Sequence, residues 1–262
     1  MKPENRTFII SGGSSGLGLA TAYALLEAGA FVSVFDIQEN SDLFSKSDRH
    51  VKFFKTDVSN ESDVNDAVEG TMAWTQSTGA QLGGIIAAAG ISPFCRTIDD
   101  EGNPHPLEDW NRVIGVNLTG AFNLTRLACK YLTKVPPEGP DGERGSIVLV
   151  SSVAATEGTV GFVAYSASKG GILSATLALA RDLAQYGIRV NCIAPGPFTS
   201  GMTDSLPDKA RECFNRELFF PNRFGIGHEF AQAVKFLIEC GYANGATIDL
   251  TGATRVPTRL DP

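Results

Sequence analysis

The chain has 262 residues, enough for one substantial core and short enough for a single domain. It carries 29 acidic against 22 basic side chains, a net charge of -7, which argues against nucleic acid as a partner because a phosphate backbone calls for a basic face. Its five cysteines (Cys95, Cys129, Cys192, Cys213, Cys240) form no CxxC pair and its three histidines stand apart, so neither a disulfide framework nor a metal site is expected.

The opening stretch MKPENRTFII is too short in apolar residues for a signal peptide. No later run approaches the roughly 20 apolar residues of a membrane span. A cytoplasmic protein that does not enter membranes is expected. Short apolar runs then recur at 7–10, 31–35, 51–55, 84–88, 146–150, 188–193 and 246–250. Helix-length amphipathic segments separate them, the pattern of βαβ units. The 28 glycines fit the many tight turns of such a fold. Right-handed crossovers make this a doubly wound α/β fold, a seven-stranded parallel sheet with helices on both faces. The longest helical readings begin at LEDW (107) and GFVAYSASK (161). The loops at 98–106 and 135–145, rich in proline, glycine and charge, are expected to be surface excursions of the one domain.

The first run is followed by SGGSSGLG (11–18). Gly12, Gly16 and Gly18 form a tight strand-to-helix turn that also carries Ser14, Ser15 and Leu17. Such a turn points backbone N–H groups and a helix N-terminus at an anion, here the pyrophosphate of a dinucleotide. Asp36, at the end of the second run and eighteen residues after Gly18, suits ribose hydroxyls and repels a 2′-phosphate. Ser14, Ser15 and Ile37 offer that phosphate no cation, so NAD is favoured over NADP. Asp57 and Val58 follow the third run, at the edge where ligands lie in open α/β sheets. Asp57 there meets an adenine amino group, with Val58 on the ring, or else caps the helix that starts at ESDV.

Tyr165 and Lys169 lie one helical turn apart and share a face. Ser152 precedes Tyr165 by thirteen residues, at the end of the fifth run. A free phenol ionises near pH 10, and bringing it to about 7 takes about 4 kcal/mol, within reach of an adjacent ammonium and a cationic nicotinamide. Tyr165 is then the general base for alcohol oxidation, Ser152 the donor to the substrate oxygen, and Lys169 the ligand of the nicotinamide ribose that also tunes the phenol. Asn117, expected within a helix, is assigned to hold a water that links Lys169 to solvent.

Together these residues resemble the classical short-chain dehydrogenase/reductase family over nearly the whole chain. SGGSSGLG, YSASK (165–169), Ser152, Asn117 and APGPFTSGM (194–202) carry the likeness. The resemblance implies a Rossmann-type fold, a nicotinamide cofactor, and a homotetramer with the Asn117 and Tyr165 helices at subunit contacts. Within the family the sequence looks most like the type-II 3-hydroxyacyl-CoA dehydrogenases, also called type-10 17β-hydroxysteroid dehydrogenases. That likeness adds mitochondria as a second compartment. The family's fourth strand ends in NNAG or NAAG. Here it ends in Ala87, Ala88, Ala89 and Gly90, so Ala87 lacks the leading asparagine and one hydrogen bond worth about 1 kcal/mol. Ala88, Ala89 and Gly90 remain small enough for the cofactor ribose. Pro195 and Gly196 are expected under the nicotinamide, the Phe198 backbone at its carboxamide, and Thr199 or Ser200 at the pyrophosphate. The stretch to 225, with Met202, Leu206, Phe214, Phe219 and Phe220, reads as an apolar lid. The expected activity is NAD-dependent interconversion of a secondary alcohol and ketone on a hydroxyacyl, steroid-like or natural-product substrate. The alternatives are a cofactor-binding regulator and a biosynthetic tailoring enzyme with a non-redox step.

Overall fold

The computed structural model describes residues 1–46, 49–204 and 208–257. Seven strands appear where apolar runs were expected: β1 (Arg6–Ser11), β2 (Phe31–Asp36), β3 (Val51–Lys55), β4 (Gln81–Ala87), β5 (Gly145–Val150), β6 (Ile188–Pro195) and β7 (Thr247–Leu250). They pair in parallel in the order β3-β2-β1-β4-β5-β6-β7. The strand order reverses between β1 and β4, which opens a crevice at their carboxyl ends. The helices are α1 (Gly16–Glu27), α2 (Ser41–Lys46), α3 (Glu61–Thr78), α4 (Leu107–Ile114), α5 (Gly120–Leu132), α6 (Val163–Ala184), α7 (Gly201–Asp204), α8 (Asp208–Arg216) and α9 (Gly227–Glu239). Among the described residues no helix is long and apolar enough to cross a membrane.

Successive strand side chains point to opposite faces, and both faces are covered, so the strands read as continuous apolar runs. Ile9, Ile85 and Ile147 pack with Val64 and Val68 of α3, Leu124 and Leu132 of α5, and Ile172 of α6. Their neighbours Ile10, Ile86 and Val148 pack on the other side with Leu25 of α1 and with Phe230, Val234 and Leu237 of α9.

Three boundaries differ from expectation for physical reasons. Strand β4 begins earlier, at Gln81, because Gly83 and Gly84 are sheet residues despite their poor strand propensity. A Cβ on Gly84 would lie only 3.0 Å from the Ser146 carbonyl carbon, so glycine is required for this approach of β4 to β5. The long helix expected from Leu107 is interrupted by a π-turn at Gly115–Thr119, which carries Asn117. Helix α3 is capped by Asn60, whose side chain accepts from the Ser62 and Asp63 amides, and not by Asp57. The 135–145 loop is also more than a surface excursion. It delivers Glu143 to the buried Arg189 guanidinium at 2.6 Å, and Arg189 in turn donates to the Leu237 and Ile238 carbonyls at the end of α9.

Cys129, buried under α5, has its thiol pushed up to about 12 by desolvation, against an ordinary value near 9. Above about pH 9 the unfolded chain therefore releases a proton that the folded chain keeps, and stability falls with rising pH by up to about 4 kcal/mol. Urea unfolding of Cys129→Ala across this alkaline range is expected to show a shallower loss of stability with pH than the parent. Equal slopes would contradict the assignment.

Candidate active site

The turn after β1 is built by its glycines. Gly12 and Gly16 adopt left-handed φ values of 68° and 51°, a region open to glycine at little cost. A Cβ on Gly12 would sit 2.9 Å from the Ala89 backbone, and one on Gly18 would sit 2.7 Å from the Gly12 carbonyl carbon. Ser15 precedes α1 without a side-chain cap, and the first turn of α1 holds no acidic residue. Its free N–H groups therefore face a groove, as an anion requires.

That groove has a volume of about 650 Å³ and runs along the carboxyl edge of the sheet. Gly12, Ser15, Gly16, Leu17 and Gly18 line one end, and Asp36, Ile37, Asp57 and Val58 line another part. Ala88, Ala89, Gly90, Tyr165, Lys169, Pro195 and Ser200 complete the set that the sequence had marked. Asp36 accepts from the Ser14 amide at 3.1 Å and the Gln38 amide at 3.2 Å, so its carboxylate also holds the turn. Asp57 accepts from both the amide and hydroxyl of Ser59. Four residues marked in the sequence are not part of this lining. Ser14 is buried behind the turn. Phe198 is buried and packs edge-on against Phe230. Thr199 is exposed and donates its amide to the Gly225 carbonyl. Gly196 lines the neighbouring cavity instead. Thr56, Ser151 and Arg112 line the groove without having been singled out, since no motif separates them from ordinary strand-end and helix residues.

Ala87 is buried between Ser11 and Leu149 in the sheet register. Two other residues hold the strand end that follows it. The Ser11 carbonyl accepts from the Ala88 amide at 3.2 Å and the Ser11 hydroxyl from the Ala89 amide at 3.3 Å. Asn117 brackets Ile91, accepting from its amide at 2.8 Å and donating to its carbonyl at 2.9 Å, and also donates to Ser168 at 3.0 Å. The Asn117 amide thus ties the segment after β4 to α6, from the π-turn within the helical stretch where it was expected. A Cβ on Gly90 would come within 3.3 Å of Asn117 Oδ1 and 3.5 Å of Lys169 Nζ, so a side chain here would crowd the Asn117 amide.

Tyr165 and Lys169 project from α6 as expected, with the ammonium 5.7 Å from the phenol ring centroid. Lys169 donates to the Val150 carbonyl at 2.8 Å, and Ser151 donates to the Lys169 carbonyl at 2.8 Å. Both bonds fix α6 to the end of β5. Ser152 caps the short turn Val153–Ala155 by accepting from the Ala154 amide at 3.1 Å, and it stands beside Tyr165. Burial pushes the Tyr165 phenol up, with the Ser152 hydrogen bond acting in the opposite direction. Lys169, one of the two positive charges expected beside the phenol, is itself desolvated, its ammonium brought down to about 8, and donates a hydrogen bond to Val150.

A second cavity of about 680 Å³ meets the groove at Gly90, Ile91, Arg112 and Tyr165. Ser152 opens into it. Its walls are largely apolar, including Pro93, Phe94, Val153, Phe162, Phe214 and Phe224. Of the expected lid residues, Phe214 lines this cavity, whereas Phe219 and Phe220 are 65% and 85% exposed and lie outside its lining. Leu206 and the Met202 side chain lie outside the described residues. Phe94, Phe162, Arg255 and Val256 were not anticipated. Phe94 sits in a segment with no periodic signal, Phe162 was read only as part of the helix that carries Tyr165, and the last two follow β7, far along the chain from the motifs.

The chain matches the family model described as short chain dehydrogenase over residues 6–211. It is 42% identical over 252 residues to 3-hydroxyacyl-CoA dehydrogenase type-2 of Bos taurus, covering 95% of this chain and 94% of that protein. It is 36% identical over 261 residues to ipsdienol dehydrogenase of Ips pini, covering 97% and 98%. The crystal structure of 3-hydroxyacyl-CoA dehydrogenase type-2 from Mycobacterium avium superposes with a TM-score of 0.89 at 33% identity, over 97% of each chain. With a Tyr165–Lys169 pair at the end of a parallel seven-stranded sheet and this extent of likeness, the chain belongs to the short-chain dehydrogenase family, oxidoreductases that act on CH–OH groups.

Proposed function

We propose that the protein is an NAD-dependent dehydrogenase that interconverts a secondary alcohol and its ketone on a substrate with an apolar body, a 3-hydroxyacyl thioester first among the candidates. The observation that carries this reading is that Tyr165 lines both cavities at once, with Ser152 on the apolar side and Lys169 on the groove side. An alcohol in the apolar cavity is then within reach of the phenol and of the Ser152 hydroxyl. Ser152 orients the substrate oxygen and carries its developing charge, and Tyr165 takes the hydroxyl proton. Lys169 holds α6 against Val150 and places its charge beside the phenol.

The groove fits a dinucleotide. Gly12 and Gly18 let the turn close tightly against the Ala89 and Gly12 backbone, and the first turn of α1, which holds no acidic residue, lines the groove. Gly12, Ser15, Gly16, Leu17 and Gly18 would hold the pyrophosphate, Asp36 the adenosine ribose, and Lys169 the second ribose. Bound there, a nicotinamide cofactor supplies the hydride acceptor and, when oxidised, a positive charge that opposes the effect of burial on Tyr165. The Asp36 carboxylate beside Ile37 in the groove lining supports NAD, because a 2′-phosphate there meets like charge. The hydroxyacyl class is supported by relatives named 3-hydroxyacyl-CoA dehydrogenase type-2. A homotetramer is supported by apolar side chains left exposed on α5 and α6, Phe122 and Leu177.

Absorbance of the reduced nicotinamide, followed with NAD or NADP against a panel of 3-hydroxyacyl thioesters and other secondary alcohols, tests the reading. Turnover is expected with NAD, and kcat/KM for NADP is expected to be lower by about tenfold or more. Tight cofactor binding without turnover across the panel would favour a cofactor-binding regulator.

A further inference from the structure

After the edge strand β7 the chain passes Thr254–Pro257 back along the apolar cavity, where Arg255 and Val256 join Val153, Thr159 and Phe162 in its lining. This segment has no regular secondary structure. It is held by the loop that follows Ser152. The Glu157 carboxylate accepts from the Arg255 guanidinium at 2.6 Å through one oxygen and from the Val256 amide at 2.9 Å through the other. Thr159 donates to the Pro257 carbonyl at 2.6 Å. Glu157 is in turn placed by its own amide, which donates to the Val153 carbonyl at 2.9 Å within the turn that Ser152 caps. A short series of bonds therefore runs from Ser152 through Glu157 to Val256.

Arg255 is 71% exposed, and an exposed ion pair contributes little to folding stability. Its partner also accepts a backbone N–H from the adjacent residue, however, so two charge-assisted bonds converge on one carboxylate and fix two consecutive residues. The consequence of such a clasp is positional. It decides where the Val256 side chain stands in a cavity otherwise lined by aromatics such as Phe94, Phe162 and Phe224 and by loop residues such as Pro93 and Pro197.

We propose that Glu157 and Arg255 are positioning residues that clasp Thr254–Pro257 as a wall of the substrate cavity, and that Val256 in this wall determines how bulky an alcohol can be presented to Tyr165. The inference rests on the reading of this cavity as the substrate site. Neither residue touches the reacting atoms, so the expected effect is on substrate binding and selection.

Two kinds of variant test it, each assayed with a small and a bulky secondary alcohol. Val256→Ala is expected to shift the bulky-to-small ratio of kcat/KM by about tenfold toward the bulky substrate, and Val256→Phe to shift it the other way. Arg255→Glu is expected to raise KM several-fold with kcat within about twofold, and to speed amide hydrogen exchange in 254–257. The charge exchange Glu157→Arg with Arg255→Glu is expected to recover part of both effects. Calorimetric binding of the corresponding small and bulky ketones gives the same comparison without turnover, so an inactive protein that still discriminates through Val256 would overturn the dehydrogenase reading and not this one. An unchanged ratio in both Val256 variants would overturn the proposal, as would an Arg255→Glu protein with unaltered exchange and KM.

Discussion

Tyr165→Phe is expected to lower kcat for alcohol oxidation by about 10² to 10⁴ while leaving NAD affinity within about twofold. The substitution deletes one oxygen and keeps the ring that borders both cavities, so the groove walls and the Lys169 contact with the ring persist. What disappears is the only phenol placed between Ser152 and Lys169 in the described site. The pH dependence follows from the same residue. Burial raises the phenol and the Ser152 hydrogen bond lowers it, and a base works only when deprotonated. Oxidation is therefore expected to rise with pH, and Ser152→Ala, by removing the counterweight, is expected to move that rise to higher pH. Steady-state kinetics with pH profiles of kcat/KM check both statements. Full activity in Tyr165→Phe contradicts the assignment of Tyr165.

Gly18→Ala is expected to weaken NAD binding by at least about tenfold and to lower the melting temperature by several degrees. The added Cβ meets the Gly12 carbonyl and comes within 3.2 Å of Gly13 Cα, all backbone atoms. No rotamer relieves such a contact, and overpacking of this kind costs about 1–3 kcal/mol. Helix α1 has to move away from the turn, which withdraws its N-terminal amides from the groove and loosens its packing of Leu25 on the sheet. Cofactor titration and thermal unfolding read the two consequences separately. Gly79→Ala is a useful contrast, because nothing lies within 4 Å of its added Cβ, and its cost is confined to the strain of a φ of 74°.

Much of this was legible in the sequence because it rests on local chemistry. The five inner strands announced themselves as apolar runs since both faces of the sheet are covered there, and the glycine turn, Asp36 and the Tyr165–Lys169 pair lie within short windows of sequence. Strand β4 was harder to bound, because Gly83 and Gly84 obey inter-strand contacts, with Arg6 and Phe8 on one side and Ser146 on the other, that no strand propensity expresses. Asn117 was recognised as a site residue, yet its partners Ile91 and Ser168 come from distant segments, and only the fold shows that it braces the end of β4. Ala87 left the question of what replaces the family asparagine. Ser11 and Asn117 bracket that strand end from either side. The lid was read from its aromatics, but aromatic content does not say which way a ring points, and Phe214 faces the cavity while Phe219 and Phe220 face solvent. The Glu157–Arg255 clasp joins residues 98 positions apart and has no sequence signature at all.

The central claim is that Tyr165 and Ser152 present an alcohol for hydride transfer to NAD. The most direct test uses a 3-hydroxyacyl thioester carrying deuterium on its carbinol carbon, incubated with the protein and NAD, followed by mass analysis of the reduced cofactor. One deuterium per reduced nicotinamide formed is expected, and its loss in Tyr165→Phe. Reduced nicotinamide without the label, or product formed with no reduced nicotinamide, would contradict it.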